Sequence, residues 1–204
     1  MSYLMVVIIF IFSFLSGSIP VALFVVKLVT GKDLRKVGSG NIGGTNASRA
    51  ADNKAQKYLI YFITAAGDIL KGFVPILIAV EVFKNRDIAM DKNLIYTITA
   101  LIAILGHDTM PFIKKGQGKG VATTFGAFVL IATMPAYIGL ATFFILRLFT
   151  PVASKRSIAA GIIMAVSAIV LKYPLIIVAG TIISAVLVVV THRENIKRIL
   201  RGEE

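Results

Sequence analysis

The chain has 204 residues, 57% of them hydrophobic and only 16% charged, with a net charge of +12 and neither cysteine nor tryptophan. This excludes an ordinary soluble domain, which carries more charge and less apolar surface, and it excludes disulfides, thiol catalysis and cysteine-based metal sites. The positive charge is not a nucleic-acid signature, because the basic residues cluster between apolar runs with no interleaved aromatics for stacking. The two histidines, His107 and His192, are too far apart in sequence to suggest a metal site.

Several apolar runs are long enough to cross a bilayer, so the expected fold is all-α and polytopic, a single domain over 1–204. About seven spans are predicted, at 4–29, 58–82, 94–112, 120–133, 135–149, 157–172 and 174–191. Met1–Leu4 holds no Lys or Arg, so the first run lacks the positive start of a cleaved signal peptide. The charge that follows it, at Lys27, Lys32, Arg35 and Lys36, places the N-terminus outside and the far end of the span in the cytoplasm. Within that run, Ser16–Pro20 reads SGSIP, small residues that permit close helix contact. The fourth and fifth spans come from dividing one long run at Pro135 and Gly139, and the sixth and seventh from dividing another at Lys172 and Pro174. Seven spans put the C-terminus in the cytoplasm, and 17 of the 22 Lys and Arg residues then fall inside, as the positive-inside rule requires.

The unusual polar segments gather on that inner face. Between the first two spans, Gly38–Asn46 reads GSGNIGGTN. Gly38, Gly40, Gly43 and Gly44 let other atoms approach the main chain closely, and successive exposed amides can form an anion-binding concavity. Ser39, Asn41, Thr45 and Asn46 add polar side chains, and Arg49 can clamp a phosphate or carboxylate with two parallel bonds. The plainer reading is a flexible glycine loop. In the second span, Asp68 and Lys71 are three apart and can pair; a charge at that depth costs roughly 2.5–3.5 kcal/mol unless it faces protein or water. The pair either glues the bundle or lines a site. His107, in GHD, either caps a helix end or orients a loop. Lys119 stands between Gly118 and Gly120 at the foot of the fourth span. This is not a P-loop, since a glycine rather than a hydroxyl residue follows the lysine, but a point charge flanked by glycines suits a phosphate better than it suits a simple membrane anchor. After the last span, His192 and Asn195 are three apart on one helix face and can both donate to a phosphate or hydroxyl.

Taken together the segments resemble the PlsY family of membrane acyltransferases over nearly the whole chain. GSIP, GSGNIGGTN with Arg49, and GH…P…GKGVAT look like its three motifs, and DILKG and HRENIKR fit in the right order. One stretch departs: KKGQGKG stands where the family has the form FKGGKG, so that Gln117 replaces a glycine, Gly116 sits where a lysine is usual, and Pro111 is shifted by one. The resemblance implies a seven-helix fold in the bacterial inner membrane, with a cytoplasm-facing site that moves a fatty acyl group from acyl phosphate to glycerol-3-phosphate. It further implies that Ser39, Arg49, Lys119, His192 and Asn195 bind glycerol-3-phosphate, while the glycine loop with Thr45 and Asn46 holds the acyl-phosphate group. Gly118, Gly120, His107, Asp68 and Lys71 are expected to border the substrates. No cofactor, metal or nucleic acid is called for, and a monomer is expected.

The residues independently suit this chemistry. An acyl phosphate is already activated, so catalysis needs two anions brought together and the departing charge stabilised by donors set in place beforehand. Neither a carboxylate pair nor a Cys/His dyad is visible for other work. An anion or phosphate-ester transporter would use the same basic loops, but it needs polar groups along a path through the bilayer, and only Asp68 and Lys71 lie deep. A non-catalytic scaffold would leave Arg49, Lys119 and Asn195 without a purpose.

Overall fold

The computed structural model describes residues 2–113 and 118–203, and all regular structure among them is helical. The expectations attached to Lys114, Lys115, Gly116 and Gln117 lie outside the described residues. In chain order the helices are α1 (Ser2–Gly17), α2 (Val21–Thr30), the single turn α3 (Gly44–Ala47), α4 (Lys54–Phe83), α5 (Lys92–Thr109), α6 (Val121–Phe128), α7 (Thr133–Ile145), α8 (Ala153–Val170), α9 (Leu175–Thr191) and α10 (Arg193–Leu200). Helix starts follow from local chemistry. Asn53 caps α4 by accepting from the Gln56 amide at 2.9 Å, while the Gln56 side chain accepts from the Asp52 amide at 2.9 Å, a reciprocal arrangement that satisfies two orphan donors. Asp91 caps α5 through the amides of Asn93 and Leu94.

Three segments are long and apolar enough to cross a membrane: Tyr3–Thr30, Lys54–Phe83 and Ala153–Val170. Leu175–Thr191 makes a fourth if Arg193–Leu200, bent 58° away, is counted with it. Large apolar side chains on their outer faces, among them Phe24, Phe62, Leu70 and Val170, are exposed; a contiguous surface of this kind requires lipid rather than water.

The structure corrects three of the predicted boundaries. The run 4–29 is not one continuous helix. It breaks after Gly17, because Pro20 has no amide hydrogen to continue the ladder. The predicted span 120–133 contains a helix of only 8 residues, α6, about 12 Å long at 1.5 Å per residue and too short to cross a ~30 Å core alone. The chain turns at 129–132, ahead of Pro135 and Gly139. Pro135 is accommodated in the first turn of α7, where a missing N–H costs nothing, and Gly139 stays helical because a Cβ there would stand 3.0 Å from the Ala160 carbonyl of α8. The division at Lys172 and Pro174 matches the turn between α8 and α9.

Helix α4 is the hub. It carries Pro75 in its interior, which removes the amide that would bond the Lys71 carbonyl. The Ser16 hydroxyl of α1 supplies the replacement at 2.9 Å. Against α6 the approach is backbone to backbone. A Cβ on Gly72 would lie 2.3 Å from the Thr123 carbonyl oxygen, and one on Gly126 would lie 2.0 Å from that of Ile69. Beneath these contacts sits a core of Ile76, Ala100, Ile104, Ala127, Phe128 and Met164, joining α4, α5, α6 and α8. A second core, of Val26, Leu34, Ile42, Ala47, Ile60 and Met110, seats the loop after α2.

Gly126→Ala is expected to destabilise the bundle by about 1–3 kcal/mol, because the added methyl meets an unyielding main chain. Thermal unfolding in detergent measures this, and an unchanged midpoint would remove the proposed α4–α6 contact.

Candidate active site

The loop between α2 and α4 owes its shape to one side chain. The Asn46 carbonyl oxygen accepts from the Ser39 amide at 3.1 Å, and its two amide hydrogens go to the carbonyls of Val37 at 2.9 Å and Asn41 at 3.0 Å. Asn46 is 4% exposed. Gly38 (φ +52°) and Gly40 (φ +70°) adopt left-handed conformations that let the chain fold around it. A Cβ on Gly38 would come within 2.5 Å of the Asn46 oxygen and 3.3 Å of the Arg49 side chain. Ile42, fully buried, pins the loop to the core below. Past Gly43 the chain enters the α3 turn and then the 3-10 turn Ser48–Ala50. Among the described residues the amides of Gly43, Gly44 and Thr45 find no main-chain acceptor, the condition for an anion-binding concavity. Arg49, at the end of this turn, is exposed and forms no ion pair among the described residues.

The second contributor is the segment Gly118–Gly120, which leads directly into α6. The Lys119 ammonium donates to the Asn195 side-chain oxygen of α10. Next to Asn195, the His192 Nδ1 lies 2.7 Å from the Val188 carbonyl. A carbonyl only accepts, so Nδ1 carries the hydrogen of this bond. His192 and Asn195 are both buried, at the bend between α9 and α10.

Behind Lys119 lies a buried polar cluster. The Lys71 ammonium sits 3.0 Å from the Asp68 carboxylate and 3.0 Å from the Ile19 carbonyl, which is exposed by the break between α1 and α2. The Asp68 carboxylate is in turn 3.8 Å from the His107 Nδ1, which shares a 3.0 Å hydrogen bond with the Thr123 hydroxyl. The other ring nitrogen faces the backbone of Gly118, where a Cβ would stand 1.9 Å from Nε2. Asp108 presses the same way on Gly120, 2.8 Å from where a Cβ would stand.

These segments meet around one cavity of about 1100 Å³. Of the residues singled out in the sequence, Ser39, Asn41, Gly43, Gly44, Thr45, Asn46, Arg49, Asp68, His107, Lys119, Gly120, His192 and Asn195 all line it. Four do not. Gly38, Gly40 and Gly118 shape the backbone behind the lining, and Lys71 is consumed by the Asp68 carboxylate and the Ile19 carbonyl. Asn46 spends both donors on its own loop. His107 has one nitrogen on the Thr123 hydroxyl and the other against Gly118, an arrangement that orients the loop at Gly118, one of the two roles its sequence position offered. The rest of the lining includes apolar residues, among them Tyr61, Phe62, Phe143, Leu140 and Met164, and also polar ones, among them Arg147 and, on α8, Arg156 and Ser157.

A cavity lined by cations and main-chain amides together with aromatic and aliphatic side chains fits an amphiphile bearing a phosphate. The comparisons point the same way. A family model described as glycerol-3-phosphate acyltransferase matches residues 7–202. Similar proteins include a glycerol-3-phosphate acyltransferase of Clostridium acetobutylicum, 40% identical over 94% of each chain, and one of Aquifex aeolicus, 37% identical over 95% of each. A crystal structure of PlsY (YgiH), an integral membrane glycerol 3-phosphate acyltransferase, in its glycerol 3-phosphate form superposes with a TM-score of 0.83 at 36% identity, covering 98% of this chain and 94% of that one. The lysophosphatidic acid form gives 0.82 at 33% identity, covering 98% and 93%.

Asn46→Ala is expected to cost roughly 2–3 kcal/mol, since it strips two part-buried carbonyls and one amide of their partner. Thermal unfolding and proteolysis of the 37–49 loop report it; wild-type stability together with wild-type protease resistance would show that the loop holds its shape without this side chain.

Proposed function

The chain belongs to the glycerol-3-phosphate acyltransferase family, and we propose that its acyl donor is an acyl phosphate and its products are lysophosphatidic acid and inorganic phosphate. Membership makes it an integral membrane acyltransferase of glycerol-3-phosphate that serves phospholipid synthesis. The observation that carries the finer reading is the gathering of Ser39, Arg49, Lys119, His192 and Asn195 around one cavity with an apolar wall.

In the proposed reaction the 1-hydroxyl oxygen of glycerol-3-phosphate attacks the acyl carbonyl carbon. A new C–O ester bond forms, the bond from that carbon to the phosphate oxygen breaks, and phosphate leaves with the electron pair. The hydroxyl proton passes to a phosphate oxygen of the substrates themselves. Arg49, with its unpaired guanidinium, and Lys119, held toward the cavity by Asn195, grip the glycerol-3-phosphate anion. The amides of Gly43, Gly44 and Thr45 receive the second phosphate and stabilise the charge it gains on departure. Asp68, Lys71 and His107 hold the Lys119 segment from behind and do not enter the chemistry. His192, which lines the cavity beside Asn195, contacts glycerol-3-phosphate.

The proposed setting is the bacterial inner membrane, with the N-terminus outside, the C-terminus and cavity facing the cytoplasm, and the chain acting as a monomer. Seven crossings are proposed, with α6 and α7 completing the bundle as shorter elements packed against the longer helices. The distribution of Lys and Arg supports this orientation.

Purified protein supplied with palmitoyl phosphate and glycerol-3-phosphate is expected to release phosphate and lysophosphatidate in equal amounts; uptake into liposomes without turnover would favour a transporter instead. Lys119→Ala and Arg49→Ala should each lower the rate at least ~100-fold, the scale of losing a preorganised donor, while leaving thermal stability intact. Near-normal rates in both would remove the site. With His192 replaced by Ala, the remaining activity should show no pH–rate limb belonging to a protein base; a surviving limb would reject proton transfer to substrate.

A further inference from the structure

On the wall that α8 contributes to the cavity, the first turn of that helix presents a cation without an acidic partner among the described residues. Arg156 is 8% exposed and lines the cavity, and its side chain forms no hydrogen bond or ion pair among the described residues; its Nε is enclosed without a partner. The Phe143 ring covers one face, with the guanidinium carbon 4.6 Å from the ring centroid. Cation–π contact of this kind holds a guanidinium flat and leaves its nitrogen edge open. The helix start adds charge of the same sign. No side chain caps α8, so its first amides carry the partial positive charge of an 18-residue helix. Ser157 is buried one residue further on and lines the same space. Arg147 and Arg198 line the cavity as well. Of the carboxylates that line it, Asp68 is paired with Lys71 and Glu203 is exposed at the C-terminal end. A buried cation without a counter-ion is costly unless a ligand supplies one.

We infer that Arg156 and the first turn of α8 form a further phosphate site in this cavity, separate from the Arg49–Lys119 set and from the glycine-loop amides, which takes the phosphate of a chain-bearing phosphate monoester. The bidentate fork of arginine matches two phosphate oxygens. The neighbouring Phe143, Leu140 and Met164 provide apolar cover for an aliphatic chain. Free phosphate presents the same oxygens without the chain, so the two sources are separable. The inference rests on reading the cavity as an acyl-phosphate site.

The test is calorimetric titration of the full chain in detergent with hexadecyl phosphate, inorganic phosphate and glycerol-3-phosphate. Arg156→Gln is expected to weaken hexadecyl phosphate ~10- to 100-fold, as loss of a charge-assisted pair implies, and Arg156→Lys to fall between, keeping the charge without the fork. Glycerol-3-phosphate affinity should stay within about threefold, which also reports an intact fold. If inorganic phosphate weakens in parallel, the site recognises the ion itself; if only hexadecyl phosphate does, the chain is part of recognition. Wild-type affinity for hexadecyl phosphate in Arg156→Gln would overturn the site. Should that variant fail to fold, unchanged affinity in both Arg156→Lys and Phe143→Leu would overturn it. Absence of acyl transfer by the wild type, with hexadecyl phosphate binding still dependent on Arg156, would refute the donor assignment and leave the phosphate site standing.

Discussion

The buried ion pair of Asp68 and Lys71 is the joint on which the bundle turns. Inside a bilayer a charge must be answered by protein, and each half of this pair is answered by a different neighbour. Lys71 reaches the Ile19 carbonyl and so ties α4 to the break between α1 and α2. Asp68 faces His107 of α5, which holds Thr123 of α6 and underlies Gly118. One i, i+3 pair on a single helix therefore orders three other elements and the segment that carries Lys119. A hydrophobic pair of the same volume would pack as well and fix none of these directions, since dispersion has no preferred angle.

Much of this was legible in the residues. The spacing of Asp68 and Lys71 announced a pair, and Gly38, Gly40 and Asn46 announced a loop of unusual backbone. The grouping of Arg49, Lys119 and His192 on one side followed from counting charges along the chain. Less legible was the division of labour within those groups. Asn46 and His107 have the chemistry to touch a ligand, yet Asn46 bonds its own loop and His107 bonds the Thr123 hydroxyl; spacing along a sequence says which residues are neighbours and not which way an amide or imidazole points. The break at Pro20 and the shortness of α6 were hidden for a related reason. Apolar runs are read by total length, whereas helices end where a single amide is missing or where a glycine such as Gly126 draws two backbones together. Arg156 was the hardest to see. A positive charge at a span boundary is what the bilayer asks for anyway, and only its enclosure against Phe143 separates it from an anchor.

The cavity joins two kinds of recognition that rarely coexist at a protein surface. Its lining holds cations and main-chain amides that suit a phosphate, and aromatic and aliphatic side chains that suit a hydrocarbon tail. In water these demands conflict, since the tail would be sequestered and the phosphates solvated. At the edge of a bilayer they are compatible, because lipid supplies the chain and the adjoining aqueous phase supplies the polar acceptor.

The close approach of Gly72 to Thr123 and of Gly126 to Ile69 has a mechanical consequence. Helix α6 begins two residues after Lys119. Because main chain rests directly on main chain where α4 and α6 cross, there is no deformable side-chain layer between them to absorb displacement, and movement of one helix at the crossing is passed directly to the other.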